Sequence, residues 1–129
     1  MGSHLFCPVM EKQGHGHIIA TDSTAGFKVF PSFAVYSATK FAVKALMEGV
    51  RQEEQQKNIK TTLIYPGTTA TDLYKTIPDQ KAREAEHSLQ HGDRVLQAED
   101  IAKMVVFAID TPDHVSLNEL NVRPTLQEP

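Results

Sequence analysis

Three short apolar runs, each bounded by turn residues, constrain this chain more than any other feature. They are His17 to Thr21, Lys60 to Tyr65 and Glu119 to Arg123. The first two have the length of buried strands, and the last reads as a third short strand. Gln13-Gly14-His15-Gly16 signals a turn before the first run. Pro66-Gly67 stops the second, and Pro124 ends the third. The intervening stretches are of another kind. Leu5 to Lys12 fits the last turns of a helix. Ser32 to about Gln56 follows a helical period, with Phe33, Tyr36, Phe41, Ala45, Leu46, Gly49 and Val50 on one broad stripe. Thr68 to Gly92 is polar and weakly periodic, an excursion with some helix. Gln97-Ala98-Glu99-Asp100 opens a further helix with Ile101, Ala102, Val105, Val106, Ala108 and Ile109 at helical spacing, stopped by Thr111-Pro112-Asp113. Short strands alternating with helices predict an α/β fold with a parallel sheet of about three strands and right-handed crossovers.

Composition excludes several classes. The 129 residues are enough for one modest core. A net charge of -3 leaves no basic footprint for nucleic acid. Cys7 is the only cysteine, so neither a disulfide framework nor a cysteine-based zinc site is available. No apolar run approaches the roughly 20 residues of a membrane span, and no signal-peptide apolar region is visible, so the expected compartment is the cytoplasm. Met1-Gly2-Ser3-His4 looks like a cloning scar and stays outside the fold argument.

The chemistry is concentrated around Tyr36 and Lys40. They are four apart in Val35-Tyr36-Ser37-Ala38-Thr39-Lys40, so one helical turn places them on the same face. An ammonium beside a phenol favours the phenolate and makes the pair a poised proton donor. In α/β sheets, ligands sit beyond the carboxyl ends of the strands. Ser23 follows the first strand there, and Pro66, Gly67, Thr69 and Thr71 follow the second. A hydroxyl to polarise a carbonyl, a phenol to protonate it and a lysine to tune the phenol suit carbonyl reduction or its reverse. The hydride must come from elsewhere.

From His17 to Gln127 the chain resembles the C-terminal half of the short-chain dehydrogenase/reductase family. Tyr36-Ser37-Ala38-Thr39-Lys40 matches the family's Tyr-x-x-x-Lys motif. Ser23, thirteen residues before Tyr36, falls at the family's catalytic serine. Pro66-Gly67-x-x-x-Thr71 matches the loop that touches the nicotinamide, and Asn118 to Thr125 resembles the closing strand and tail. The resemblance implies a partial Rossmann-like fold, NAD or NADP as cofactor, and a small-molecule alcohol or carbonyl substrate. It makes Tyr36 the general acid in reduction and general base in oxidation. Lys40 would tune that phenol and bind the nicotinamide ribose, and Ser23 would steady the substrate oxygen. Pro66 and Gly67 would shape the nicotinamide pocket, with Thr69 and Thr71 near the carboxamide. Thr68 to Gly92 would be the family's variable substrate loop.

The sequence also departs from the family. No Gly-rich turn opens a helix after a strand, which is what the cofactor's pyrophosphate needs. Residues 5–129 therefore read as one segment carrying the catalytic half, expected to bind NAD(P) weakly or not at all by itself. An unpartnered edge at His17–Thr21 and an uncovered long helix predict a homo-oligomer. The alternative is a non-catalytic chain that folds and self-associates through those surfaces. Where the family often has Asn-x-Ser-Ser, this chain has Ala20-Thr21-Asp22-Ser23. Asp22 is expected to be solvated or to cap the next turn, the alternative being that it points inward and perturbs Tyr36. Ser23 has a turn or N-cap reading beside its catalytic one, and Thr69 and Thr71 have a capping one. His87 and His91 are four apart, but no carboxylate or cysteine is arranged with them, so no metal is expected and they read as solvated, as do His15 and His17.

Overall fold

The computed structural model describes residues 7–92 and 94–127. Met1–His4 and the first residues of the expected opening helix, Leu5 and Phe6, lie outside that range. Helix α1 spans Pro8–Gln13 and ends on Gly14, whose φ of 77° supplies the left-handed C-cap that glycine adopts without strain. Strand β1 follows at Gly16–Thr21, helix α2 at Ala34–Glu54 and strand β2 at Ile59–Pro66. Helices α3 (Gln80–Gln90) and α4 (Ala98–Ile109) precede strand β3 (Glu119–Val122). The three strands form one parallel sheet in the order β1-β2-β3. This is the α/β parallel sheet that the alternation predicts and the partial Rossmann-like arrangement that the resemblance implies.

Strand β2 is central and almost wholly buried, as a parallel strand covered on both faces must be. Leu63 and Tyr65 point to the face covered by α2, where they pack with Met47, Val43, Ile18, Ala20 and Phe27. The opposite face carries Thr62 and Ile64, both fully buried. On this second face the polar groups are paired. His17 Nε2 lies 2.7 Å from Thr62 Oγ1, and Thr62 donates to the Leu117 carbonyl at 2.6 Å. Lys60 donates to the carbonyls of Thr111 and Pro112, tying the strand to the end of α4.

The solvated reading of His17 is overturned, since its ring is half-buried against Thr62 on the face under α4, and readings of the helices need correction too. Helix α2 begins at Ala34 and not at Ser32, because Ser32 has φ 66°, outside the helical region. The stripe from Phe33 to Val50 is not the core face. Val50 is buried, but Phe33, Tyr36, Phe41, Ala45 and Leu46 are exposed, and the sheet is met by Ser37, Val43 and Met47. The helix is thus apolar on two sides, and periodicity alone does not say which one the sheet takes. The polar excursion holds more helix than its weak period suggests. Asp79 caps α3 by accepting from the Ala82 N–H at 2.8 Å. The start of α4 is as read, with a reciprocal Gln97–Asp100 capping box.

Burial pushes the His17 imidazole below its ordinary value, and the Lys60 ammonium across the register adds to this. The unfolded chain takes up this proton near about pH 6.5, before the folded chain does. Stability from this group is therefore intact above that pH and lost as pH falls through the lower, folded value. His17→Gln is expected to flatten that part of the acid loss. Urea midpoints of the two chains between about pH 8 and pH 5 would show it. Parallel pH dependences would count against it.

Candidate active site

The ends of β1 and β2 lie side by side because their register pairs Thr21 with Ile64. The Asp22 N–H extends the ladder by donating to the Ile64 carbonyl at 2.7 Å. The segments after the two strands, Asp22–Gly26 and Pro66–Thr71, therefore leave the same edge of the sheet. The first is a tight 3-10 turn over Thr24–Gly26. Ser23 caps it, its Oγ accepting from the Ala25 N–H at 3.1 Å. The capping reading of Ser23 thus describes its local bond, and the hydroxyl keeps its own proton to donate elsewhere. Helix α2 packs against this turn and brings Tyr36 and Lys40 to it.

Tyr36 and Lys40 do share one face. The Lys40 ammonium stands 5.6 Å from the centre of the Tyr36 ring, within cation–π range. Phe33 meets the same ring edge-on at 6.2 Å. Tyr36 is 36% exposed, so its phenol is open to an incoming molecule.

Asp22 is the residue the sequence reading misplaced. It is neither solvated nor a cap. It is 6% exposed, and its carboxylate lies 3.7 Å from the Lys40 ammonium. Neither carboxylate oxygen has a hydrogen-bond partner among the described residues. Gly26 closes over it, since a Cβ at that position would collide with the carboxylate. Sequence spacing could not reveal this, because the side chain is turned inward by the 3-10 turn that follows. Burial pushes the Asp22 carboxyl above its usual range, against the pull of Lys40. Ser37, one turn before Lys40, and Tyr65 on β2 are also buried with hydroxyls lacking a partner among the described residues. Burial raises the Tyr65 phenol, and the carboxylates of Glu119 and Asp22 push it the same way.

The second loop is held differently. The Gly67 N–H donates to the Val122 carbonyl at 2.7 Å, and Gln127 Oε1 accepts from the Thr68 N–H at 2.9 Å. Gln127 lies over Gly67, a clamp from the chain's tail that the motif does not signal. Thr69 donates to the Gly67 carbonyl at 2.9 Å. Thr71 donates to Gln90 of α3 at 3.2 Å, and the buried Gln90 in turn reaches Glu86. The structure thus links Asp22 to Lys40 and Lys40 to Tyr36, places Ser23 in the turn that α2 packs against, sets Pro66, Gly67 and Thr69 on the neighbouring strand end, and ties Thr71 to the excursion. His87 and His91 stack on each other at 4.1 Å and meet Tyr74, and no group of three metal-ligating residues occurs among the described residues.

Comparison with known proteins agrees with this architecture. The family model described as short chain dehydrogenase matches residues 1–82. An uncharacterized oxidoreductase of Listeria monocytogenes is 45% identical over 124 residues, covering 93% of this chain and 49% of that protein. Dehydrogenase/reductase SDR family member 11 of Mus musculus is 40% identical over 116 residues, covering 87% and 44%. The closed form of serine dehydrogenase complexed with NADP+ superposes with a TM-score of 0.82 at 28% identity, covering 92% of this chain and 48% of that one. The chain belongs to the short-chain dehydrogenase family. It spans about half the length of the curated relatives it matches. No helix among the described residues is long and apolar enough to cross a membrane.

The Asp22 carboxyl has a sign that can be tested. Its folded value lies above the unfolded one, near about 3.9, so the folded chain holds this proton to higher pH. Stability from this group falls as pH rises through that window, and the cost of burying the charge persists above it. Asp22→Asn is therefore expected to unfold at the same temperature as the parent or higher near about pH 7, with the gap closing toward about pH 4. A lower midpoint for the variant at neutral pH, by calorimetry, would contradict this.

Proposed function

We propose that this chain carries the catalytic half of a nicotinamide-dependent oxidoreductase that interconverts an alcohol and a carbonyl. One observation carries the reading: the Lys40 ammonium stands 5.6 Å from the Tyr36 ring on the helix that packs against the Ser23 turn. In reduction Tyr36 gives its proton to the carbonyl oxygen, and in oxidation it takes the proton back. Lys40 stabilises the negative charge that develops on the phenol oxygen as the proton leaves. Ser23 donates its free proton to the substrate oxygen while its lone pair stays on the Ala25 N–H.

The residues present suit the nicotinamide–ribose end of NAD or NADP. Lys40 retains donors beyond its 3.7 Å ion pair and would hold the ribose. Pro66 and Gly67 would flank the nicotinamide, with Thr69 and Thr71 supplying hydroxyls nearby. When bound, the cofactor supplies the hydride. The NADP+ complex of the serine dehydrogenase with the same fold supports this choice. No Gly-rich strand-to-helix turn lies within residues 5–129, so cofactor affinity in this chain is expected to be weak.

A second reading rests on a separate observation. Helix α2 and its N-cap expose Val35 at 81%, Leu46 at 56%, Phe33 at 46% and Phe41 at 39%, an apolar surface left open by the described residues. A chain that self-associates there needs no turnover, and an enzyme can do both.

Two measurements separate these. With saturating NAD(P)H and a panel of ketones, the parent chain should oxidise the cofactor, and Tyr36→Phe should lose about 10²–10⁴-fold in kcat. Equal rates in parent and variant would sink the catalytic role. Light scattering should give a mass above one chain, and Leu46→Lys should shift it toward the monomer. A monomeric parent at high concentration would refute self-association.

A further inference from the structure

Asp22 is a buried carboxylate with no hydrogen bond among the described residues, next in sequence to Ser23 and facing Lys40. Nothing in the scaffold needs that charge. Its place in the sheet is secured by the backbone N–H to Ile64, which asparagine would keep. Its contact with Gly26 is one of crowding, which a neutral side chain of the same shape would keep as well. The group that gains most from the charge is Lys40, with weaker support from Lys44 and the Ser23 backbone.

Lys44, one turn on, makes the comparison. It pairs at 3.5 Å with Glu119 of β3, whose side chain is half exposed. Lys44 and Glu119 form a solvated pair of the ordinary surface kind. Lys40 instead meets a carboxylate whose side chain is wholly buried, so water weakens that attraction far less. The remaining charged and titratable groups at this seam are Lys44 of α2, Tyr65 of β2 and Glu119 of β3. Lys44 and Glu119 pair with each other, and Lys44 also stands 5.8 Å from the Tyr65 ring and adds a weaker attraction to Asp22.

We propose that Asp22 is a positioning residue for Lys40. Its carboxylate draws the ammonium onto the carboxyl end of β1 and so fixes the distance between Lys40 and Tyr36. Without the anchor, a flexible four-carbon side chain is held near the phenol only by its attraction to the ring. Asp22 also sets a limit on the pair. When it takes up a proton, the anchor is lost and Lys40 is released. The consequence for turnover rests on the oxidoreductase reading, whereas the anchoring itself does not.

The test reads Lys40 directly. The 129-residue chain is reductively methylated with formaldehyde and cyanoborohydride, and the Lys40 label is measured by peptide mass spectrometry against Lys28, which is exposed. In Asp22→Asn and Asp22→Ser the Lys40:Lys28 ratio near about pH 8 should rise roughly threefold or more, with the Lys44:Lys28 ratio unchanged. In the parent the Lys40 ratio should climb to the variants' level as acid protonates Asp22, and in the variants it should stay level with pH. A role confined to folding would shift the melting temperature or all lysines together and leave these ratios alone. That result, or a parent ratio independent of pH, overturns the proposal, and the pH arm needs no variant to fold. If Lys40 responds as stated while the chain turns over no ketone, the anchor stands and the catalytic reading fails. If turnover is present and Lys40 does not respond, only the anchor fails.

Discussion

The parallel pairing of β1 with β2 is the constraint on which the rest depends. Its register ends with Thr21 opposite Ile64, and the Asp22 N–H carries the ladder one residue further. That single alignment decides that the turn bearing Ser23 and the loop bearing Pro66 and Gly67 emerge together. A slip of one residue would turn every side chain of β1 to the opposite face. Ile18 and Ala20 would then leave the Met47–Leu63–Tyr65 core, and His17 would leave Thr62. The register is therefore secured from both faces: an apolar core under α2, and a polar chain from His17 through Thr62 to Leu117 under α4.

Much of this was legible in the sequence. The three strands lie where short runs meet Gly and Pro; only β2 is buried on both faces and so has few polar positions to disguise it, whereas β1 and β3 are half-buried edges. The α4 start was legible because a capping box is a local reciprocal bond between residues three apart. Tyr36 and Lys40 were legible as a pair because helical spacing is rigid. What spacing could not convey is which side of α2 meets the sheet. Both sides carry apolar residues, and the side that packs also holds Ser37, Lys40 and Lys44. A reading by hydrophobicity alone therefore prefers the wrong one.

The same limit explains Asp22. A charged residue after a strand is ordinarily a cap or a solvated turn residue, and local rules favour that outcome. Here the cap is the next residue, Ser23, which takes the Ala25 N–H and leaves Asp22 on the inner side of the turn. Gly26 provides room by lacking a side chain. The glycine three residues after Ser23 is visible in the sequence, but its partner across the turn is visible only in three dimensions. Gln90 and Gln127 escaped notice for a related reason. Each acts through a contact many residues away, on Thr71 and Thr68 respectively, and neither belongs to a motif.

The seam between α2 and the sheet joins these points. Three buried side chains there, Asp22, Ser37 and Tyr65, have polar atoms without partners among the described residues. Buried polar groups are ordinarily hydrogen-bonded, and each exception costs about 1–3 kcal/mol, more where the group is charged. An apolar seam would hold α2 to the sheet more firmly. That cost therefore falls where stability is poorest served and where Tyr36, Lys40 and Ser23 stand. The other face of the sheet is the internal contrast. There His17, Thr62 and Lys60 all have partners among the described residues.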